Sequence, residues 1–163
     1  MTAITGLGHV ALKVKDVDRA LAFYSGVLGF PEMLRLHHDD GSLFLIYLRI
    51  TDDQYIEIFP NAREDRAPDI DANGVHHFCL TVEKLEPVLE ALVAAGGQPY
   101  AWTKTDTGAS ALLPADRPVI GNGLDGNRQS WLQDPDGNRI ELMEMAPDCL
   151  QYQAIRRLHA EPA

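Results

Sequence analysis

Gly6-Leu7-Gly8-His9-Val10-Ala11-Leu12-Lys13-Val14 is written a second time, 68 residues later, as Gly74-Val75-His76-His77-Phe78-Cys79-Leu80-Thr81-Val82. Gly, His, Leu and Val coincide at the first, fourth, seventh and ninth positions. Identity at one fixed offset is the mark of a structural unit used twice. Each copy alternates as a strand and then runs into helical spacing, through Val17, Leu21, Tyr24 and Leu28 in the first and Leu85, Leu89 and Leu92 in the second. Asp16 is placed to cap the first helix, and Pro87 falls in the first turn of the second, where a missing N–H is tolerated. Gly26/Gly29 and Gly96/Gly97 end them, so both helices are expected to be amphipathic and about three turns long.

Three strands follow the first helix, at roughly 32–38, 42–50 and 54–59, and three follow the second, near 98–104, 128–133 and 138–145. The turn Asp134-Pro135-Asp136-Gly137 joins the last two as a hairpin. The closing strands match as well, Tyr55-Ile56-Glu57-Ile58 with Arg139-Ile140-Glu141-Leu142, but at an offset of 84. The 16 additional residues fall between Thr103 and Asn127, where Gly, Pro, Asp and Thr give the composition of a long surface loop. The expected organisation is a βαβββ module over 1–60, a charged, proline-bearing linker over 61–73, and a second βαβββ module over 74–146 with an insertion near 104–126. The tail, 147–163, is expected to form a short helix. The fold class is α+β.

Strand alternation places Val10, Leu12 and Val14 toward the first helix and His9, Ala11 and Lys13 on the opposite face. In the second copy Phe78, Leu80 and Val82 face the helix while His77, Cys79 and Thr81 do not. Glu57 lies opposite Ile56 and Ile58, and Glu141 opposite Ile140 and Leu142. His9, Glu57, His77 and Glu141 therefore share the face away from the helices. Two imidazoles and two carboxylates, placed by a repeat at equivalent points of both halves, form a candidate divalent metal site. His76 alternates to the other face as a surface residue or a partner of His77, and His37 and His38 precede the hairpin turn Asp39-Asp40-Gly41. Trp131 reads as core or cleft wall.

Composition narrows the alternatives. Of the 163 residues 45% are hydrophobic, enough to build a core, and 14 Lys plus Arg stand against 24 Asp plus Glu. A net charge of -10 disfavours nucleic acid and anionic membranes as partners. No apolar run approaches the ~20 residues of a membrane span, and the N-terminus lacks signal-peptide character, so a cytoplasmic location is expected. The two cysteines, Cys79 and Cys149, have no Cys-x-x-Cys spacing and read as reduced thiols, Cys79 as one buried in an apolar strand. Nucleotide-binding glycine motifs and nucleophile motifs are absent, which leaves non-covalent, metal-assisted chemistry.

At these residues the sequence resembles the vicinal oxygen chelate superfamily, and within it the glyoxalase I (lactoylglutathione lyase) family. The resemblance rests on His9–Val14 with Phe23-Tyr24 and Val27–Phe30, on Gly74–Thr81, and on Asp134–Leu142. It implies two βαβββ modules forming a curved mixed sheet around a metal-binding cleft. The family's ligands, His, Glu, His and Glu in chain order, match His9, Glu57, His77 and Glu141. One divalent ion is implied, nickel, cobalt, zinc, manganese or iron, with a small-molecule substrate bearing vicinal oxygens, such as a hemithioacetal of glutathione or another thiol. Asn61 matches a glutathione-contacting Asn, and Lys13 stands where bacterial relatives carry an Arg for the glutathione carboxylate. A proton would be moved through an enediolate by a carboxylate, Glu141 first and Glu57 second. The resemblance also implies a homodimer, to which Leu150, Ala154, Ile155 and Leu158 would add an apolar helical stripe. The alternatives are an acyl-CoA epimerase, an extradiol-type dioxygenase, and a metal-free antibiotic-binding protein of the same fold.

Overall fold

Alternation along the repeated strands decides which side chains meet a helix, and the computed structural model of the chain shows that pattern in three dimensions. It describes residues 4–160; residues 1–3 and 161–163, at the outer ends of the expected first module and tail, lie outside the described residues. The chain divides into two units. The first holds the described residues through Pro68 together with Asp134–Gly137, and the second holds Asp69–Gln133 and the residues from Asn138 onward.

In the first unit β1 (His9–Lys13) leads into α1 (Val17–Leu21), then β2 (Glu32–His37), β3 (Leu43–Arg49) and β4 (Tyr55–Phe59). The sheet order is β1-β4-β3-β2, with β1 parallel to β4 and the other pairs antiparallel. Leu12, Val14, Ile46, Leu48, Ile56 and Ile58 are buried, as are Ala20, Phe23 and Tyr24 from the helical segment. Asp16 caps α1, its carboxylate accepting from the Arg19 amide at 3.0 Å.

The helix differs from the expected one. After Leu21 it widens into a π-helical stretch, Ala22–Val27, closed by the Leu28 amide donating to the Phe23 carbonyl at 3.0 Å. Val17, Leu21, Tyr24 and Leu28 fit a period of 3.6, so spacing alone does not reveal the change. The adjacent Phe23 and Tyr24 both bury, packed edge to face, and the Tyr24 hydroxyl donates to Asp134 Oδ2 at 2.7 Å. That turn is further held by the Lys15 amide on Asp136 Oδ1 and by Arg19 Nη2 on the Pro135 carbonyl.

The second unit runs β5 (Phe78–Val82), α2 (Leu85–Ala94), β6 (Tyr100–Lys104), β7 (Ser110–Pro114), β8 (Gly121–Asn122), β9 (Arg128–Gln133), β10 (Arg139–Glu144) and α3 (Leu150–Ala160). Its sheet is ordered β5-β10-β9-β6-β7, with β8 paired to β9. Leu85, Leu89 and Leu92 of α2 are buried, as are Leu132, Ile140 and Leu142. Lys84, ahead of α2, makes no side-chain cap; Glu144 takes that part, accepting from the Leu85 amide at 3.0 Å, from Lys84 Nζ at 2.8 Å and from Arg128 at 2.9 Å.

The insertion is not the plain loop expected over 104–126. Thr105–Ala109 close a tight turn with Gly108 at φ +81°, and Ser110–Pro114 pair with β6 as an added edge strand. The run Ala111-Leu112-Leu113 carries the strand, and Pro114 ends it where an edge tolerates a missing donor. The class is α+β with two mixed sheets. Among the described residues no helix is long and apolar enough to cross a membrane.

Candidate functional site

The register of the paired strands repeats as closely as the sequence does. In the first unit Ala11 lies opposite Glu57 and His9 opposite Tyr55; in the second, Cys79 lies opposite Glu141. Each carboxylate is thus paired with the residue two beyond its histidine. On the antiparallel side Glu57 faces Tyr47 and Glu141 faces Trp131, again at an offset of 84.

This placement brings His9 to Glu57 and His77 to Glu141. His9 Nε2 is 3.6 Å from Glu57 Oε2, and His77 Nε2 is 3.1 Å from Glu141 Oε2. The carboxylates are buried, 7% exposed for Glu57 and 6% for Glu141, while the imidazole side chains keep 51% and 31% exposure. Two atoms bound to one ion by bonds of about 2.0–2.2 Å at about 90–109° stand roughly 2.8–3.6 Å apart. Both pairs fall in that range, and their chemistry, neutral imidazole nitrogen with carboxylate oxygen, suits a divalent ion. Among the described residues, no group of three or more His, Cys, Asp or Glu gathers as a metal cage. The structure thus brings together one imidazole–carboxylate pair in each unit.

A protic side chain lies opposite each buried carboxylate in the neighbouring strand. The Tyr47 hydroxyl's proximity to Glu57, with burial and the carboxylate charge, raises the phenol above its ordinary value. Partial desolvation of the Cys79 thiol first, then the neighbouring Glu141 charge, push it up to about 12. Cys79 is thus a neutral thiol opposite Glu141, and the expectation of a cysteine buried in the strand is corrected, since the residue is exposed. The β-strand pattern around it is apolar on the helix side only.

Rings enclose His77. Its imidazole meets Trp131 edge to face at 5.0 Å, Trp131 meets Trp102 at 5.4 Å, Trp102 stacks on His76 at 6.1 Å, and His76 returns to His77 at 5.0 Å. Trp131 Nε1 is buried with no hydrogen-bond partner among the described residues. His76 Nδ1 lies 2.7 Å from His77 Nδ1, and the Arg139 guanidinium donates to the His76 carbonyl at 2.6 Å. Burial, His77 and Arg139 together hold the His76 imidazole below the ordinary histidine range.

Lys13 ends β1 as an exposed residue, and Asn61 is the one non-glycine residue with positive φ among those described, at +66°. His37, His38 and His159 are exposed, His38 packing on Phe44. Tyr47, Trp102 and the pairing of Cys79 with Glu141 are absent from the sequence reading. Extending the offset of 84 from the glutamates would have set Tyr47 against Trp131; Trp102 and Cys79 carry no such signal.

Similarity to known proteins follows the same residues. Residues 6–142 match the family described as the Glyoxalase/Bleomycin resistance protein/Dioxygenase superfamily. A lactoylglutathione lyase of Haemophilus influenzae is 26% identical over 139 residues, covering 83% of this chain and 90% of its own. An uncharacterized protein of Bacillus subtilis, YwbC, is 24% identical over 139 residues, covering 85% and 96%. The crystal structure of a glyoxalase family protein from Enterococcus faecalis superposes with a TM-score of 0.65 at 23% identity, covering 88% of this chain and all of that one. With the family match spanning both histidines, both glutamates and the strands that carry them, the chain belongs to the Glyoxalase/Bleomycin resistance protein/Dioxygenase superfamily.

Proposed function

We propose that the chain is a metal-dependent lyase or isomerase of the glyoxalase I type, acting on a hemithioacetal-like substrate with vicinal oxygens through an enediolate. The observation that carries this reading is the matched pair of imidazole–carboxylate contacts at 3.6 and 3.1 Å, each on a buried glutamate. His9, Glu57, His77 and Glu141 would be the ligands. The divalent ion, nickel, cobalt, zinc, manganese or iron, would supply Lewis-acid charge for the substrate's developing negative oxygen.

The chain's own groups divide the remaining work. Glu57 lies opposite a phenol, a good hydrogen-bond donor, whereas Glu141 lies opposite a thiol, a weak one. Glu141 would therefore be the freer carboxylate to take the carbon-bound proton, with Glu57 second. Lys13 and Asn61 are the candidate contacts for a thiol conjugate such as a glutathione adduct. The reading includes a homodimer: Leu150, Ile155 and Leu158 leave an apolar stripe of α3 exposed, with Ala154 between them.

The test is turnover by metal-loaded protein of the hemithioacetal formed from glutathione and a 2-oxoaldehyde, with other thiol adducts, acyl-CoA thioesters and catechols as parallel arms. Isomerisation of a thiol adduct supports the reading. Activity confined to acyl-CoA or catechol arms refutes it.

A further inference from the structure

His76 lies next to a proposed ligand, yet the proposed function gives it no task. Its ring is held on two sides, stacked on Trp102 and bonded through Nδ1 to His77 Nδ1 at 2.7 Å, while its carbonyl is fixed by Arg139. The repeat-equivalent residue of the first unit is Gly8, which has no side chain to offer His9. The second histidine thus has a ring partner that the first cannot have.

Donor and acceptor roles follow from the partners. Glu141 as a carboxylate only accepts, so at 3.1 Å the hydrogen between it and His77 resides on His77 Nε2. In a neutral ring His77 Nδ1 is then an acceptor, and His76 Nδ1–H must donate across the 2.7 Å contact. Ligation by His77 Nε2 requires the opposite arrangement, because that nitrogen must shed its hydrogen and Nδ1 must carry one.

We infer that His76 is a positioning residue that exchanges hydrogen-bond roles with His77 Nδ1, letting His77 pass from its Nε2–H to its Nδ1–H tautomer as Nε2 becomes a metal ligand. The inference rests on the metal reading above. Protons balance: one leaves His77 Nε2, one moves from His76 Nδ1 to His77 Nδ1 along their bond, and one enters at His76 Nε2, on an exposed residue. Both rings stay neutral, and the pair releases no net proton.

The experiment is imidazole ¹⁵N spectroscopy with zinc titration on the full chain at about pH 8, above the ordinary histidine range. Wild type, His76→Phe and His76→Gln are compared. Phenylalanine keeps a ring to stack on Trp102 but loses the nitrogen; glutamine can present either N–H or C=O by turning its amide. In the metal-free wild type, hydrogen is expected on His77 Nε2 and His76 Nδ1, and after zinc on His77 Nδ1 and His76 Nε2. Zinc affinity should fall about 10–100-fold in His76→Phe, the usual cost of removing a ligand's outer partner, and recover most of that in His76→Gln.

Equal affinity in wild type and His76→Phe, an unrescued loss in His76→Gln, or His76 nitrogens unmoved by zinc each overturn the inference while leaving the metal reading intact. A wild-type chain that takes up none of zinc, nickel, cobalt or manganese overturns the metal reading and the inference with it.

Discussion

Tyr24→Phe removes one oxygen from the interior of the first unit and leaves the ring volume in place. The Tyr24 side chain is fully buried, and its hydroxyl donates to Asp134 Oδ2 at 2.7 Å, on a carboxylate only 4% exposed. Burial, followed by the charge and hydrogen bond of Asp134, raises the phenol well above its ordinary value, so it remains a donor throughout the neutral range. A hydrogen bond to a buried charged group is worth about 1.5–3 kcal/mol, and phenylalanine returns nothing to Asp134. For a chain of this length that loss corresponds to a melting temperature lower by about 3–12 °C. Urea denaturation of wild type, Tyr24→Phe, Asp134→Asn and the double variant measures it, the cycle isolating the coupling between the two residues. A loss under about 0.5 kcal/mol in Tyr24→Phe, or a coupling indistinguishable from zero, would refute the view that this bond secures the π-helical segment to the Asp134–Gly137 turn.

Further expectations concern the site, the second unit and the tail. Glu141→Gln keeps an oxygen ligand and removes the base, so turnover of an identified substrate should fall roughly 10²–10⁴-fold with most metal affinity retained; near wild-type turnover in that variant, with Glu57→Gln inactive, reverses the assignment. Glu144, held by Lys84, the Leu85 amide and Arg128, has its carboxyl lowered to about 2. Its stabilising contribution is present above the ordinary carboxylate range and lost as pH falls toward 2, so Glu144→Gln should flatten the wild-type decline of urea midpoint between about pH 5 and 2. Ile155→Glu with Leu158→Glu should halve the mass seen by light scattering if α3 contributes to a dimer; an unchanged dimer mass removes the tail from that interface.

Much of this architecture was legible because the offsets of 68 and 84 matched β1 with β5 and β4 with β10, and apolar patterning placed the strands between them. Alternation put His9, His77, Glu57 and Glu141 on the faces where they are found. Alternation is silent on depth, however: Ile56, Glu57 and Ile58 are all buried, so the polar face is nearly as enclosed as the apolar one at that point. Pairing partners in other strands decide this, and Tyr47 and Trp131 flank the carboxylates through antiparallel register rather than proximity in sequence. The widening of α1 was hidden because a 3.6-residue period also fits its apolar positions, and β7 was hidden because Gly and Pro around it outweigh a run of three apolar residues. The sequence likewise carries no sign that Cys79 lies opposite Glu141, since the strand's inward face dominates its pattern.

Metal stoichiometry and affinity by calorimetry, on wild type and on His9→Ala, Glu57→Ala, His77→Ala and Glu141→Ala, test the central claim most directly. One divalent ion per chain is expected in wild type, with tight binding lost in each of the four variants. Wild-type protein that binds none of nickel, cobalt, zinc or manganese, or a His77→Ala variant that binds as tightly as wild type, would contradict it.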